Sequence, residues 1–348
     1  MTRILVTGGA GFIGSNFLRY WSTRHPRDTI VCVDNLTYAG NLESIRELVT
    51  KRRVRFVRAD VANLPLMVRL LRGTDQVVHF AAESHVDRSI RRAIPFVHSN
   101  VLGTVSLLEA ARRCGVQRFH HVSTDEVYGT LSLTSRVRFT PGSAYMPRSP
   151  YAASKAAADH FARAYFHTHS LPVTISNCGN NYGPFQHPEK FIPKCVTHAI
   201  SNLTIPIYGD GRNVRDWIHV MDHCSAIERI LVGGKVGETY LVGANNEHSN
   251  REIAFQILKM IPDSESELEF VPDRPGHDRR YALDTRKLRN QLNWKPIVPF
   301  NAGLRQTINW YRTHVPWWRR AVLHSSDRQG NRIPQEDAPL PSAREGSE

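Results

Sequence analysis

The chain has 348 residues, 41% apolar and 22% charged, which is ordinary for a globular protein and enough for a large α/β domain with a smaller one appended. No run approaches the roughly 20 consecutive apolar residues of a membrane span, and the N-terminus enters a strand-like segment with no signal-peptide pattern, so a cytoplasmic protein with no membrane partner is expected. The formal charge of +13 fits nucleic acid, an acidic surface or a polyanionic small molecule. The basic residues are spread out, apart from clusters such as Lys51-Arg52-Arg53, Arg91-Arg92 and Arg319-Arg320, which favours a solvated basic surface.

Val- and Ile-rich runs alternate with helix-like segments from the start, the pattern of a parallel sheet covered on both faces. Strands are predicted at 4–7, 30–34, 55–59, 76–81, 119–123 and 173–177, and helices at 12–22, 64–71, 101–114 and 151–169. This order predicts a doubly wound Rossmann sheet. Beyond about residue 180 Pro and Gly become frequent, with strands at 205–208 and 239–242 and helices at 251–260 and 302–313. Three regions are expected: 1–180 for a dinucleotide and the catalytic motifs, 181–324 as a smaller C-terminal α/β substrate domain with late segments returning to the first, and a polar, disordered tail at 325–348. Five scattered cysteines (Cys32, Cys114, Cys178, Cys195, Cys224) without CxxC spacing disfavour a disulfide framework and a metal site.

Three motifs carry chemistry. Gly8-Gly9-Ala10-Gly11-Phe12-Ile13-Gly14 links the first strand to the first helix, where glycines let backbone approach a pyrophosphate at the positive end of the helix. Asp34, 20 residues past Gly14 at the end of the second strand, can accept from an adenosine ribose and would repel a 2′-phosphate, which points to NAD. No Arg follows it; the next residues are Asn35-Leu36-Thr37. Asp60-Val61 can reach the adenine, although Asp60 fits equally well as the N-cap of the 63–71 helix. Phe80-Ala81-Ala82-Glu83-Ser84 falls at a carboxyl strand end, where open α/β sheets place ligands.

In Ser149-Pro150-Tyr151-Ala152-Ala153-Ser154-Lys155, Ser149 can cap a helix that begins at Pro150. Tyr151 and Lys155 then share a face, so the ammonium would lower the phenol pKa and make Tyr151 a base. Ser123-Thr124-Asp125-Glu126-Val127-Tyr128-Gly129 carries adjacent carboxylates at the end of the fifth strand. Two acids can divide an elimination: once a hexose C4 is a ketone, one removes the C5 proton and the other protonates the departing C6 hydroxyl. The plainer reading is that they cap the next loop.

These blocks resemble the extended short-chain dehydrogenase/reductase family and, within it, the dTDP-glucose 4,6-dehydratases. The likeness runs from about residue 3 to 313 and includes Leu36-Thr37-Tyr38-Ala39-Gly40-Asn41-Leu42-Glu43-Ser44, Ala81-Ala82-Glu83-Ser84-His85-Val86-Asp87-Arg88-Ser89, Asn180-Asn181-Tyr182-Gly183-Pro184, Pro188-Glu189-Lys190, Arg215-Asp216-Trp217 and Asp273-Arg274-Pro275-Gly276-His277-Asp278-Arg279-Arg280-Tyr281. Related dehydratase and decarboxylase branches resemble Thr-Ser-Glu where this chain has Thr124-Asp125-Glu126.

The resemblance implies dehydration of dTDP-glucose to dTDP-4-dehydro-6-deoxyglucose by a homodimer that retains NAD. Thr124 would hold the C4 hydroxyl, Tyr151 take its proton, Lys155 hold the nicotinamide ribose, Glu126 remove the C5 proton and Asp125 act as acid at C6. Gly8, Gly11, Phe12, Ile13, Gly14, Asp34, Asn35, Leu36, Thr37, Asp60, Val61, Phe80, Ala81, Ala82, Ser99, Tyr151, Lys155 and Asn181 would meet the cofactor. Ser84, Thr124, Asn180, Lys190, Phe191, Pro206, Tyr208, Arg215, Asn250, Arg274 and His277 would meet the sugar nucleotide. Arg215, Arg274 and Lys190 are also a chemically sensible diphosphate clamp. The sequence departs from the family in a short 130–139 segment, in Thr140-Pro141-Gly142 and in Leu241, where Asn is usual; these differences are expected near the substrate. Another NAD-dependent nucleotide-sugar dehydratase, epimerase or decarboxylase of the same fold, acting on a UDP-linked sugar, is the alternative, and Asp125 argues against the epimerase and the decarboxylase. No helix-turn-helix, zinc-finger or RNA-binding signature supports a nucleic-acid partner.

Overall fold

Val and Ile suit strands that are buried on both faces, and six segments, most of them rich in these residues, pair side by side in the first half of the chain. The computed structural model describes residues 1–327. Its first half runs β1 (Arg3–Thr7), α1 (Phe12–Arg24), β2 (Thr29–Asp34), α2 (Arg46–Thr50), β3 (Val54–Arg58), α3 (Leu64–Leu71), β4 (Gln76–His79), α4 (Val86–Arg91), α5 (Ile94–Phe96), a π-helical stretch (Val97–Leu102), α6 (Gly103–Arg113), β5 (Arg118–Thr124), α7 (Pro150–His169) and β6 (Val173–Cys178). The second half runs β7 (Asn180–Tyr182), α8 (Phe191–Ile200), β8 (Ile205–Tyr208), β9 (Val214–His219), α9 (Val220–Gly233), β10 (Thr239–Val242), β11 (Glu247–Ser249), α10 (Asn250–Met260), β12 (Leu268–Val271), α11 (Arg286–Leu292), α12 (Phe300–Thr313) and α13 (Val315–Asp327).

The main sheet is parallel throughout, in the order β10-β6-β5-β4-β1-β2-β3. The order reverses between β1 and β4, which opens a crevice at their carboxyl ends, where a doubly wound sheet binds a dinucleotide. One face is covered by α3, α6 and α7 around Leu107, Leu108, Phe119 and Ile175; the other by α1 and α9 around Phe17, Leu18, Trp21 and Ile227. Each such aliphatic or aromatic side chain contributes about 1.5–3 kcal/mol when fully buried.

Beyond β6 the chain builds a three-stranded sheet, β11-β9-β7, and a β12-β8 pair. These pack with α8, α10 and α12 around Ile192, Trp217, Ile253 and Leu304. The 239–242 segment returns to the first sheet: β10 lies parallel to β6, with Leu241 opposite Asn177. Helix α9 also returns, packing on α1, where Glu228 accepts from Tyr20 and Arg24.

Trp317 and Trp318 are buried, Trp318 Nε1 donates to the Tyr311 carbonyl at 3.0 Å, and Phe185, Trp310 and Trp317 cluster, so these aromatics close the last helices onto the body. The first three residues of the tail expected to be disordered from 325 belong to α13, which extends to Asp327; the remainder of that expectation lies outside the described residues. Among the described residues no helix is long and apolar enough to cross a membrane, and no cluster of three metal-ligating side chains occurs.

Candidate active site

The glycine loop forms its turn because Gly8 has φ +67 and lies where a Cβ would meet the Ala81 amide at 2.6 Å. Gly14, in the first turn of α1, packs so closely on Gly8 and Gly9 that any side chain would displace the loop. Between this loop and the carboxyl ends of β2, β4 and β5 lies a cleft of about 300 Å³. It is lined by Gly8, Gly11, Phe12, Ile13, Gly14, Asp34, Asn35, Thr37, Asp60, Val61, Phe80, Ala81, Ala82 and Ser99 along one stretch. Along the other it is lined by Ser84, Thr124, Asp125, Glu126, Tyr151, Lys155, Asn180, Asn181 and Lys190. Leu36 is not in this lining; it has φ +55, and its amide donates to Asp34 Oδ1 at 2.7 Å. The cradle that glycine alone can form, the carboxylate at the end of β2 and the helix N-terminus fit a dinucleotide.

Asp34 is fixed at both oxygens, since Oδ2 also accepts from the Ala10 amide at 2.9 Å. Asp60 turns out not to cap α3: that cap is Asn63, which accepts from the Leu66 amide, while Asp60 accepts from the Ala62 amide at the cleft edge. Ser99 belongs to the π-helical stretch, where the widened turn carries it to the cleft while Asn100 ties the Glu83 backbone to Ser154.

Ser149 caps α7, accepting from the Ala152 amide at 3.1 Å, and Pro150 is its first residue. Tyr151 and Lys155 are both buried on the inward face. One expectation is overturned. The Tyr151 phenol is held well above its ordinary pKa, first by burial and then by Glu126 and Cys178, with a Thr124 hydrogen bond opposing. The Lys155 ammonium donates instead to the Val122 carbonyl at 2.8 Å.

Thr124 ends β5 and caps the short helical turn Asp125–Tyr128, accepting from the Glu126 amide at 3.3 Å; the cap is thus the threonine, not the acids. Burial pushes Asp125 well above the usual carboxylate range, and Glu126 and Asp216 add to it. Burial also raises Glu126, but Arg274, Arg215 and Lys190 oppose it.

Beside the cleft, Lys190 Nζ donates to the Ser84 carbonyl at 2.7 Å, Arg274 pairs with Asp87 at 3.6 Å, and His277 with Asp273 at 2.6 Å. Tyr208 donates to Asp87 and its ring meets His277 edge-on. Arg215 is buried, stacked over Tyr281, with both amino groups on backbone carbonyls of Val214 and Asp278, so it acts on Glu126 as a fixed charge. Phe191 opens α8 against Trp217, Pro206 lies in β8 and Asn250 opens α10; these three, with Tyr208, Arg215, Arg274 and His277, lie outside the cleft lining.

Leu241 corrects the expectation that it sits near substrate: it is buried in an apolar cluster with Val127, Tyr128, Phe139 and Tyr281 beneath the catalytic turn. The lining also includes Ala39, Gly40, Glu83, Cys178, Gln186 and His187, for which the sequence reading assigned no role. Glu83 stood in a recognised block; Cys178 and Gln186 carry no signal short of the fold.

Fold and cleft together define a dinucleotide enzyme of the extended short-chain dehydrogenase/reductase class. Residues 5–307 match the family described as GDP-mannose 4,6 dehydratase. The dTDP-glucose 4,6-dehydratase of Mycobacterium tuberculosis is 48% identical, covering 91% of this chain and 95% of its own. That of Neisseria meningitidis is 45% identical over 94% and 98%. DesIV, the dTDP-glucose 4,6-dehydratase of Streptomyces venezuelae solved with NAD and dTDP bound, superposes with TM-score 0.88 at 47% identity, covering 92% of this chain and all of that one. The UDP-glucose 4-epimerase of Thermus thermophilus, at 30% identity over 90% of this chain, still gives 0.82, so the fold alone does not choose the reaction. The chain belongs to the dTDP-glucose 4,6-dehydratase family of hydro-lyases.

Proposed function

We propose that this protein dehydrates dTDP-glucose to dTDP-4-dehydro-6-deoxyglucose with tightly held NAD. The observation that carries the reading is the Asp125–Glu126 pair beside Thr124 and Tyr151, two carboxyls in unlike electrostatic settings within one cleft. Thr124 holds the C4 hydroxyl and Tyr151 takes its proton; with loss of the C4 hydride, C4 becomes a ketone and the C5 proton acidic. Bound NAD would supply a hydride acceptor, a cationic ring that favours the Tyr151 phenolate, and return of the hydride to C6. Glu126 Oε removes the C5 proton, Asp125 protonates the departing C6 hydroxyl, and a proton returned at C5 completes a cycle with no net oxidation. Lys155 holds the nicotinamide ribose. Asp34 accepts from the adenosine ribose, and Asn181 lies beside the cofactor.

In this reading residues 1–180 carry the cofactor and 181–324 mainly the sugar nucleotide, with Arg274, His277 and Lys190 toward the diphosphate. A homodimer is supported by an apolar face on adjacent helices, where Ile94, Val97, Leu102 and Phe161 are exposed. A cytoplasmic setting is supported by five unpaired thiols. Separate incubation with dTDP-glucose and UDP-glucose tests the proposal. The enone absorbance of the 4-keto product in alkali is expected from dTDP-glucose, and its absence would reject the reading; preferential turnover of UDP-glucose would reject the nucleotide assignment.

A further inference from the structure

Behind the cleft, one turn after Lys155 on the same face of α7, lies a carboxylate to which the reaction above gives no task. Asp159 has no solvent exposure. Its Oδ2 accepts from Tyr145 Oη at 2.7 Å and Asn177 Nδ2 at 2.9 Å, and its Oδ1 lies 3.2 Å from His121 Nε2. A buried anion is costly unless it is hydrogen-bonded and opposed by positive charge. Here the carboxylate is held down first by His121 and then by the Lys155 charge, with Arg163 reaching it through the Tyr145 hydroxyl. Asn177 extends the contact to the catalytic turn: its Nδ2 also donates to the Thr124 carbonyl at 3.3 Å, and its Oδ1 accepts from Tyr128 Oη at 3.2 Å. Both ends of the segment bearing Asp125 and Glu126 therefore rest on the residue that Asp159 holds.

We propose that Asp159 is a positioning residue that keeps Lys155 a cation and, through Asn177, fixes the Thr124–Tyr128 turn. The groups that face Lys155 are Asp159 on α7, His79 on β4, His121 on β5 and Cys178 on β6. Burial lowers the Lys155 ammonium to about 8, with Asp159 the first influence opposing it. His121, lowered to about 4 by burial, is neutral at pH 7, and Asp159, at about 2, is ionised. Asp159 is thus the one fixed negative charge in this set at neutral pH. Because Lys155 must be protonated, loss of Asp159 lowers its pKa, and activity is lost at a lower pH as the pH rises.

The inference rests on the role given to Lys155 above, and Asp159→Asn tests it separately. The amide oxygen can accept from Tyr145 and Asn177, and the amide nitrogen can donate to neutral His121, so the variant loses charge and keeps its bonds. The NAD-loaded variant should retain the wild-type circular dichroism. The alkaline limb of its kcat/KM profile on dTDP-glucose should move down by about one pH unit, the scale of a lost opposite charge. Asn177→Ala should lower kcat several-fold with the alkaline limb unmoved. Asp159→Glu, which keeps the charge, should leave the limb at the wild-type position even if Asp159→Asn is not recovered folded. An unmoved limb in Asp159→Asn, or a displaced one in Asp159→Glu, overturns the inference while leaving wild-type dehydration intact. An inactive wild type would instead reject the reading on which it rests.

Discussion

Asp125 and Glu126 are consecutive residues in unlike surroundings: Asp125 is 2% exposed, with Oδ2 unpartnered and the Glu126 charge beside it, whereas Glu126 lies within the fields of Arg274, Arg215 and Lys190. The first is suited to carry a proton and the second to accept one.

The two variants should therefore fail differently. In Asp125→Asn the C5 proton should still exchange with deuterated solvent, because enolisation needs only the ketone and the base, while loss of the C6 hydroxyl slows by about 10²–10⁴-fold. In Glu126→Gln both exchange and elimination should be suppressed. Mass spectrometry of recovered sugar nucleotide reads this directly, and equal loss of exchange in both variants would mean the roles are misassigned.

The same pair predicts the pH profile. Glu126 must be ionised, and burial raises it, so activity falls as pH drops through a value above the roughly 4.3 of an ordinary glutamate. Asp125 must be protonated, and burial raises its carboxyl in the direction that keeps the proton. A kcat/KM profile flat down to pH 4.5 would contradict the assignment.

Tyr151→Phe should abolish oxidation at C4, since it removes only the group that accepts the hydroxyl proton. Turnover reduced less than tenfold would remove Tyr151 from the mechanism, while an unchanged melting temperature would show the loss to be chemical.

Asp34 should set cofactor choice. NAD should bind at least about tenfold more tightly than NADP, the equivalent of 1.4 kcal/mol. Asp34→Ala should narrow the ratio by calorimetry while also lowering stability, because the Ala10 and Leu36 amides lose their acceptor.

Burial holds His223 neutral, pushed down to about 3, with Nδ1 2.9 Å from Asn181 Oδ1. A depressed histidine contributes stability above its unfolded pKa of about 6.5 and loses that contribution as pH falls toward the folded value. The melting-temperature gap between wild type and His223→Gln should therefore shrink between pH 7 and pH 4; a constant gap would count against this account.

Much of the site was legible because local chemistry announces it. The glycine loop, the Ser149-Pro150 start of α7 and the Thr124–Glu126 turn depend on short-range sterics and capping, and the structure places them as their spacing implies. The interactions that tune these groups are not local. The return of β10 to β6, which buries Leu241 under the catalytic turn, depends on pairing between strands more than 60 residues apart. The electrostatics of Tyr151 were misread because α-helical spacing shows that Lys155 shares its face, but not that the ammonium reaches the Val122 carbonyl. Arg215 likewise read as a free clamp, and only the packing of Tyr281 and Asp278 shows its guanidinium to be satisfied internally.

Conversion of dTDP-[4-²H]glucose in ordinary water, and of unlabelled dTDP-glucose in deuterated water, tests the central claim most directly. The account predicts loss of one water in both cases, with the product formed in deuterated water one mass unit heavier than that loss alone would leave it. Deuterium should be found at C6 in the first and at C5 in the second, because one hydrogen is carried from C4 to C6 within the site and the other is exchanged through Glu126. A product of unchanged composition, as an epimerase would give, or one whose C4 deuterium is lost to solvent, would contradict it.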